Sequence, residues 1–91
     1  MSYIVELTKT ADRQFEKLDQ KQQSSISNVL LDLCEFYDGV SKKKPDIKPL
    51  TGKYYGLLRL RVGSYRVIFQ LKGGRFLVLV IQIVESGDAY R

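Results

Sequence analysis

The sequence predicts a small α+β domain of order βααβββ, with two N-terminal helices packed on one face of a mostly antiparallel four-stranded sheet. Three observations lead there. Residues 26–37 carry one apolar stripe at helical spacing. Residues 57–71 alternate between apolar and polar or charged side chains. Gly63 and the pair Gly73-Gly74 punctuate the second half as hairpin turns. At 91 residues the chain is one domain, residues 1–91, able to build a single thin two-layer core.

Taken in order, residues 3–7 (Tyr-Ile-Val-Glu-Leu) favour a strand. Thr8 or Thr10 can cap a helix in which Ala11, Phe15 and Leu18 recur on one side. After a break near Asp19 and Gln20, a second helix places Ile26, Val29, Leu30, Leu33, Cys34 and Tyr37 in one broad stripe, and Gly39 fits its end. Residues 41–46, with Lys42, Lys43 and Lys44 closed by Pro45, read as a loop. Three strands follow. Gly63-Ser64 fits a two-residue type II′ turn, which wants glycine first, and Gly73-Gly74 fits a second tight hairpin.

Composition removes several function classes. Hydrophobic residues at 44% and charged residues at 27% describe a globular chain and not a disordered one. The longest uncharged apolar run, Phe76 to Ile81, is far short of the roughly 18 residues a membrane span needs. The N-terminus lacks a signal-peptide pattern, so the expected location is cytoplasmic. With no histidine and a single cysteine, neither a structural zinc site nor a histidine-activated nucleophile can be assembled, and no metal or cofactor is implied. Cys34 lies within the apolar stripe and reads as a buried structural thiol.

The net charge of +5 is unevenly spread. Residues 1–41 hold four basic against seven acidic side chains, and residues 42–91 hold eleven against three. So basic a half attracts nucleic acid, acidic peptide or anionic lipid. The hairpin register sharpens this. A turn at Gly63-Ser64 sets Arg61 opposite Arg66 and Arg59 opposite Ile68, with Leu58, Leu60, Val62, Tyr65, Val67, Phe69 and Leu71 on the core face. Like charges directly opposite destabilise a sheet, so the arginines imply either an anion to hold or a carboxylate placed nearby. Guanidinium groups suit phosphate because their planar fork binds it bidentately. The last strand is apolar on both faces, which adds Leu77, Leu79, Ile81 and Ile83 to the arginine face. A basic rim beside an apolar floor of Leu57, Ile68, Leu77, Leu79 and Ile81 calls for a peptide partner or a dimer contact.

The segment Ile47-Lys48-Pro49-Leu50-Thr51-Gly52, followed by Leu58-Arg59-Leu60-Arg61-Val62-Gly63-Ser64-Tyr65-Arg66-Val67-Ile68-Phe69, resembles the RelE/ParE superfamily of toxins from bacterial and archaeal toxin–antitoxin systems. The tail Glu85-Ser86-Gly87-Asp88-Ala89-Tyr90-Arg91 is similar to the family's short C-terminal motif. The resemblance implies a βααβββ toxin neutralised by an antitoxin. RelE-like members cut mRNA in the ribosomal A site without metal, through attack of a ribose 2′-OH on the adjacent phosphate. ParE-like members inhibit DNA gyrase instead. Carried over by position, the catalytic candidates are Arg66 on the scissile phosphate, Arg59 and Arg61 beside it, and Tyr90 stacking on a base or assisting proton transfer. Leu57 stands where some members have a basic residue, and Ser86 and Gly87 stand where the tail arginine is expected.

The expected function is therefore a ribosome-dependent mRNA endoribonuclease. A ParE-like gyrase inhibitor, or a degraded toxin that only binds its antitoxin, are the alternatives. Lys42, Lys43, Lys44, Lys48, Lys53 and Arg91 are candidate RNA contacts. Tyr54 and Tyr55 fit either base stacking or rim packing. Glu85 is a candidate base or a solvated carboxylate. The expected partners are the ribosome with its mRNA, and an antitoxin segment that is both acidic and apolar. That segment would bind across Arg59, Arg61 and Arg66 and the apolar side chains Leu57, Ile68, Leu77, Leu79 and Ile81.

Overall fold

The computed structural model describes residues 2–85. Tyr90 and Arg91, and the Ser86-Gly87 pair where the family arginine was sought, lie outside the described residues. Five strands form one sheet: β1 (Ile4–Leu7), β2 (Ile47–Pro49), β3 (Leu58–Val62), β4 (Tyr65–Lys72) and β5 (Leu77–Glu85), in the order β1-β5-β4-β3-β2. Helices α1 (Lys9–Glu16) and α2 (Gln20–Tyr37) intervene between β1 and β2. β1 runs parallel to β5 and every other pairing is antiparallel.

The architecture is the expected α+β layer with one strand more than the sequence predicts. β2 is the added strand: three residues cannot display a period-2 pattern, and Pro49 is admitted because β2 is an edge strand. The helix boundaries follow local chemistry. The Thr8 hydroxyl oxygen accepts the Ala11 N–H at 3.2 Å, and Asp19 Oδ1 accepts the Gln22 N–H at 2.8 Å, so each helix starts on a side-chain cap.

The β3–β4 register is the predicted one, with Val62 opposite Tyr65, Arg61 opposite Arg66 and Leu60 opposite Val67. Gly63 has φ +57°, and Ser64 is not among the positive-φ residues, as a type II′ turn requires. A side chain at Gly63 has open space around it and only the backbone conformation against it. Gly63→Val should therefore cost about 1–2 kcal/mol, read as a lower urea midpoint with an unchanged slope.

The second hairpin is corrected. Lys72 pairs with Leu77, so the connection spans four residues, with a 3₁₀ turn at Gly73–Arg75 and Phe76 in the left-handed region at φ +51°. The Phe76 ring meets Tyr3 edge-on at 5.4 Å, and Tyr3 in turn meets Tyr37 at 5.6 Å. This aromatic contact offsets the roughly 1–2 kcal/mol that a left-handed non-glycine residue costs, and it takes Phe76 out of the strand.

A bulge interrupts β5. Ile68 faces Gln82 and Phe69 faces Val80, which leaves Ile81 as the extra residue. Helix α1 secures it: the Thr8 hydroxyl donates to the Ile81 carbonyl at 3.0 Å, and Gln14 Oε1 accepts the Ile83 N–H at 2.6 Å. The bulge resets the alternation, so Val78, Val80 and Ile83 all join the core beneath the helices. Ile83 was expected on the arginine face; it is buried on the other side.

The core joins Leu60, Val67, Phe69, Val78, Val80 and Ile83 of the sheet to Ala11, Ile26, Leu30, Leu33 and Cys34 of the helices. Cys34 is buried there, and desolvation, with a smaller contribution from Asp38, pushes its thiol pKa up. A thiol so held is a packing group and a poor nucleophile.

Candidate functional site

Strands β2, β3 and β4 bring the cations together on the sheet face opposite the helices. Lys48 lies directly opposite Arg59, and Arg61 directly opposite Arg66, so two like-charged cross-strand pairs stand side by side. The structure supplies the carboxylate that the sequence left open. The Arg61 N–H donates to the Asp46 carbonyl at 3.0 Å, which extends the β2–β3 ladder by one residue. Asp46 Oδ1 then accepts from Arg59 Nη2 at 2.8 Å. Arg59 is only 12% exposed and Asp46 58%, so the pair anchors a nearly buried guanidinium with a well-solvated partner. Asp46 thus sits beside Arg59 within a group that also holds Lys48, Arg61 and Arg66. Arg59 Nε is buried without a hydrogen-bond partner among the described residues, a donor that an incoming anion would satisfy.

Beside these strands lies a cleft of about 400 Å³ lined by Lys48, Pro49, Leu50, Thr51, Tyr54, Arg59 and Arg66. That volume is at the small-ligand end of the usual range for binding sites. Two guanidinium groups and an ammonium converge on it, which is chemistry for a phosphate or a carboxylate. One wall is the loop from Thr51 to Leu57, where the Lys53 ammonium sits 5.4 Å from the Tyr54 ring centroid.

The sequence-predicted residues divide. Arg59, Arg66 and Lys48 share the cleft. Arg61 is exposed next to Arg66 without lining it. Lys53 touches the cleft wall through Tyr54. Lys42, Lys43 and Lys44 are exposed on the preceding loop, and Lys43 borders a different recess, with Asp32 and Val29 of α2.

The apolar floor is less open than expected. Ile68 is 1% and Leu77 5% exposed, and Leu57, Leu79 and Ile81 are half-buried. Ile68 lies between Arg59 and Gln82 across the sheet and between Arg66 and Gln70 along its strand, where long side chains can lay their stems over it. Glu85 pairs with Tyr65, whose hydroxyl donates to Gln22 Oε1 of α2 at 3.1 Å. After the bulge, Glu85 is therefore on the helix side of the sheet and not beside the arginines.

Sequence reasoning missed Asp46, Thr51 and the place of Tyr54. The signal for Asp46 was its spacing: two residues before Lys48, it shares a strand face with Lys48 once β2 is recognised. Among the described residues no group of three or more His, Cys, Asp or Glu is placed to hold a metal ion, and no helix is long and apolar enough to cross a membrane.

Residues 5–90 match the family described as ParE toxin of type II toxin–antitoxin system, parDE. The chain is 31% identical over 91 residues to the toxin RelE of Mycobacterium tuberculosis, a match covering 98% of this chain and 87% of that relative. Two solved structures share the fold. One is the archaeal RelE–RelB complex from Pyrococcus horikoshii OT3, with TM-score 0.74, 25% identity, and 98% and 100% of the two chains covered. The other is the toxin–antitoxin complex RelBE2 from Mycobacterium tuberculosis, with TM-score 0.77, 23% identity, and 93% and 99% covered.

Proposed function

Since the chain belongs to the RelE/ParE superfamily of type II toxin–antitoxin toxins, we propose that it acts as a RelE-like, metal-independent endoribonuclease on ribosome-bound mRNA. The observation that supports this reading is the cleft in which Lys48, Arg59 and Arg66 converge. The scissile phosphodiester lies against the two guanidinium groups, which gain most as the phosphorus becomes five-coordinate and its oxygens accumulate charge. The 2′-oxygen of the upstream ribose attacks phosphorus and passes its proton to a solvent water. The bond to the 5′-oxygen breaks and that oxygen takes a proton, leaving a 2′,3′-cyclic phosphate and a 5′-hydroxyl. Arg59 and Arg66 are donors only, with no acceptor atom, so their role is to neutralise the developing charge. The Lys48 ammonium is a cleft cation that can deliver a proton to the leaving oxygen.

Primer extension on translated messages during induced expression tests the reaction. Breaks within coding regions are the expected outcome, and intact message during growth arrest would reject it. Binding has its own signature. Two to three phosphate contacts give a slope of about −1.5 to −2 for log K against log salt on single strands, or roughly an eight- to sixteen-fold loss between 50 and 200 mM.

A second reading is favoured by the family match itself, which carries the ParE name: inhibition of DNA gyrase by binding alone. Supercoiling by purified gyrase, unaffected at micromolar protein, would exclude it. Under either reading the partner is an antitoxin, as in the structural neighbours described as RelE–RelB complexes. An acidic segment that covers Arg59, Arg61 and Arg66 silences the cleft, and raised salt slows its association.

A further inference from the structure

Tyr55 is 86% exposed, the most exposed of the large hydrophobic side chains described. A lone exposed ring needs no explanation in itself. Its position gives it meaning. Tyr55 follows Tyr54 on the loop whose Thr51 and Tyr54 line the cation cleft. That loop has ordered backbone: Tyr54 N–H donates to Thr51 at 3.3 Å, Tyr55 N–H to Gly52 at 3.1 Å, Leu57 N–H to Tyr54 at 3.1 Å, and Leu50 N–H to Leu57 at 3.0 Å. The two tyrosines differ in what occupies their rings. Tyr54 is half-buried and has the Lys53 ammonium over it, whereas Tyr55 has no ring or cation partner among the described residues.

We infer that Tyr55 is a stacking platform for a nucleobase adjacent to the phosphate held by Arg59 and Arg66, so that the site takes single-stranded nucleic acid by its base as well as its backbone. This rests on the phosphate reading of the cleft. Single strands alternate an anion with a planar apolar ring, and a cationic groove flanked by a solvent-facing aromatic matches that alternation. An acidic peptide matches the cations equally, but it presents no flat ring beside each charge. The hydrogen-bonded loop lowers the entropy lost when the ring is capped, which is where a pre-ordered platform gains affinity.

The test uses the purified chain with two probes, a short single-stranded oligoribonucleotide and tripolyphosphate, the second carrying the charge without bases. Tyr55→Ala should weaken oligonucleotide binding by about 5- to 150-fold, the range expected for loss of one stacked base. It should leave tripolyphosphate binding unchanged, and Tyr55→Phe should restore the oligonucleotide. The sequence contains no tryptophan, so Tyr55→Trp provides a fluorescence signal that the oligonucleotide quenches and tripolyphosphate does not. If Tyr55→Ala binds both probes like the unmodified chain while Arg66→Ala loses both, the cleft stands and the platform is overturned. If Arg66→Ala also changes nothing, the phosphate reading itself fails and takes the platform with it. Weakened antitoxin binding with unchanged oligonucleotide binding would assign Tyr55 to a protein interface and overturn the inference.

Discussion

Arg66→Ala should lower mRNA cleavage by about 10²–10³-fold, the usual loss when one preorganised charge-stabilising donor is removed from a reacting centre. The same substitution should leave the fold intact. Arg66 lies directly opposite Arg61, so its removal relieves a like-charge contact, and as a substitution outside the core it should change stability by no more than about 1 kcal/mol. The gap between the two magnitudes makes the experiment decisive. Cleavage is read by primer extension and stability by urea titration, on the same preparation. Arg66→Lys should fall between, because it retains charge and loses the bidentate fork. An Arg66→Ala chain that cleaves normally would place the chemistry elsewhere.

The largest stability effect belongs to Phe69. It sits in the middle of β4, fully buried, with Leu58 opposite on one side and Val80 on the other. Phe69→Ala removes a large ring from a core that has only one layer of helices to collapse into the gap, at a cost of about 3–5 kcal/mol. Domains of this size have a total stability of roughly 5–15 kcal/mol, so much of the population should be unfolded or degraded at growth temperature. Urea denaturation measures the loss, and toxicity should fall with it. A cost under about 1 kcal/mol would mean that the core is not packed as described.

Most of the fold could be read because its strongest signals are local. The α2 stripe repeats over three turns, and the Gly63-Ser64 turn pins the β3–β4 register, so the pairing of Arg61 with Arg66 follows without tertiary information. What escaped depends on contacts distant in sequence. β5 is apolar on both faces, so no alternation reveals that Ile81 is an extra residue, and the bulge is set by Thr8 and Gln14 from the other end of the chain. The turn after β4 runs past the two glycines to Phe76, whose ring packs against Tyr3 from far away in sequence. At the site, residue type was enough to find the cations. The ion pair of Arg59 with Asp46 was hidden because it needs β2, a strand too short to announce itself.

The parallel pairing of β1 with β5 carries a consequence for the order of assembly. Ile4 waits for Leu77, and the Thr8 hydroxyl for a carbonyl 73 residues along the chain. The cation cleft, by contrast, is built from residues 48 to 66, held by one tight hairpin and its neighbouring strand. During synthesis β1 stays unpaired until β5 has emerged. Closing so long a loop before any contact repays it is slow, and it leaves the helices without the full sheet beneath them in the meantime. The nascent toxin thus passes through an interval in which the residues of its basic hairpin are made but the β5 side of its core is not. In that interval an antitoxin or a protease already present meets the hairpin first.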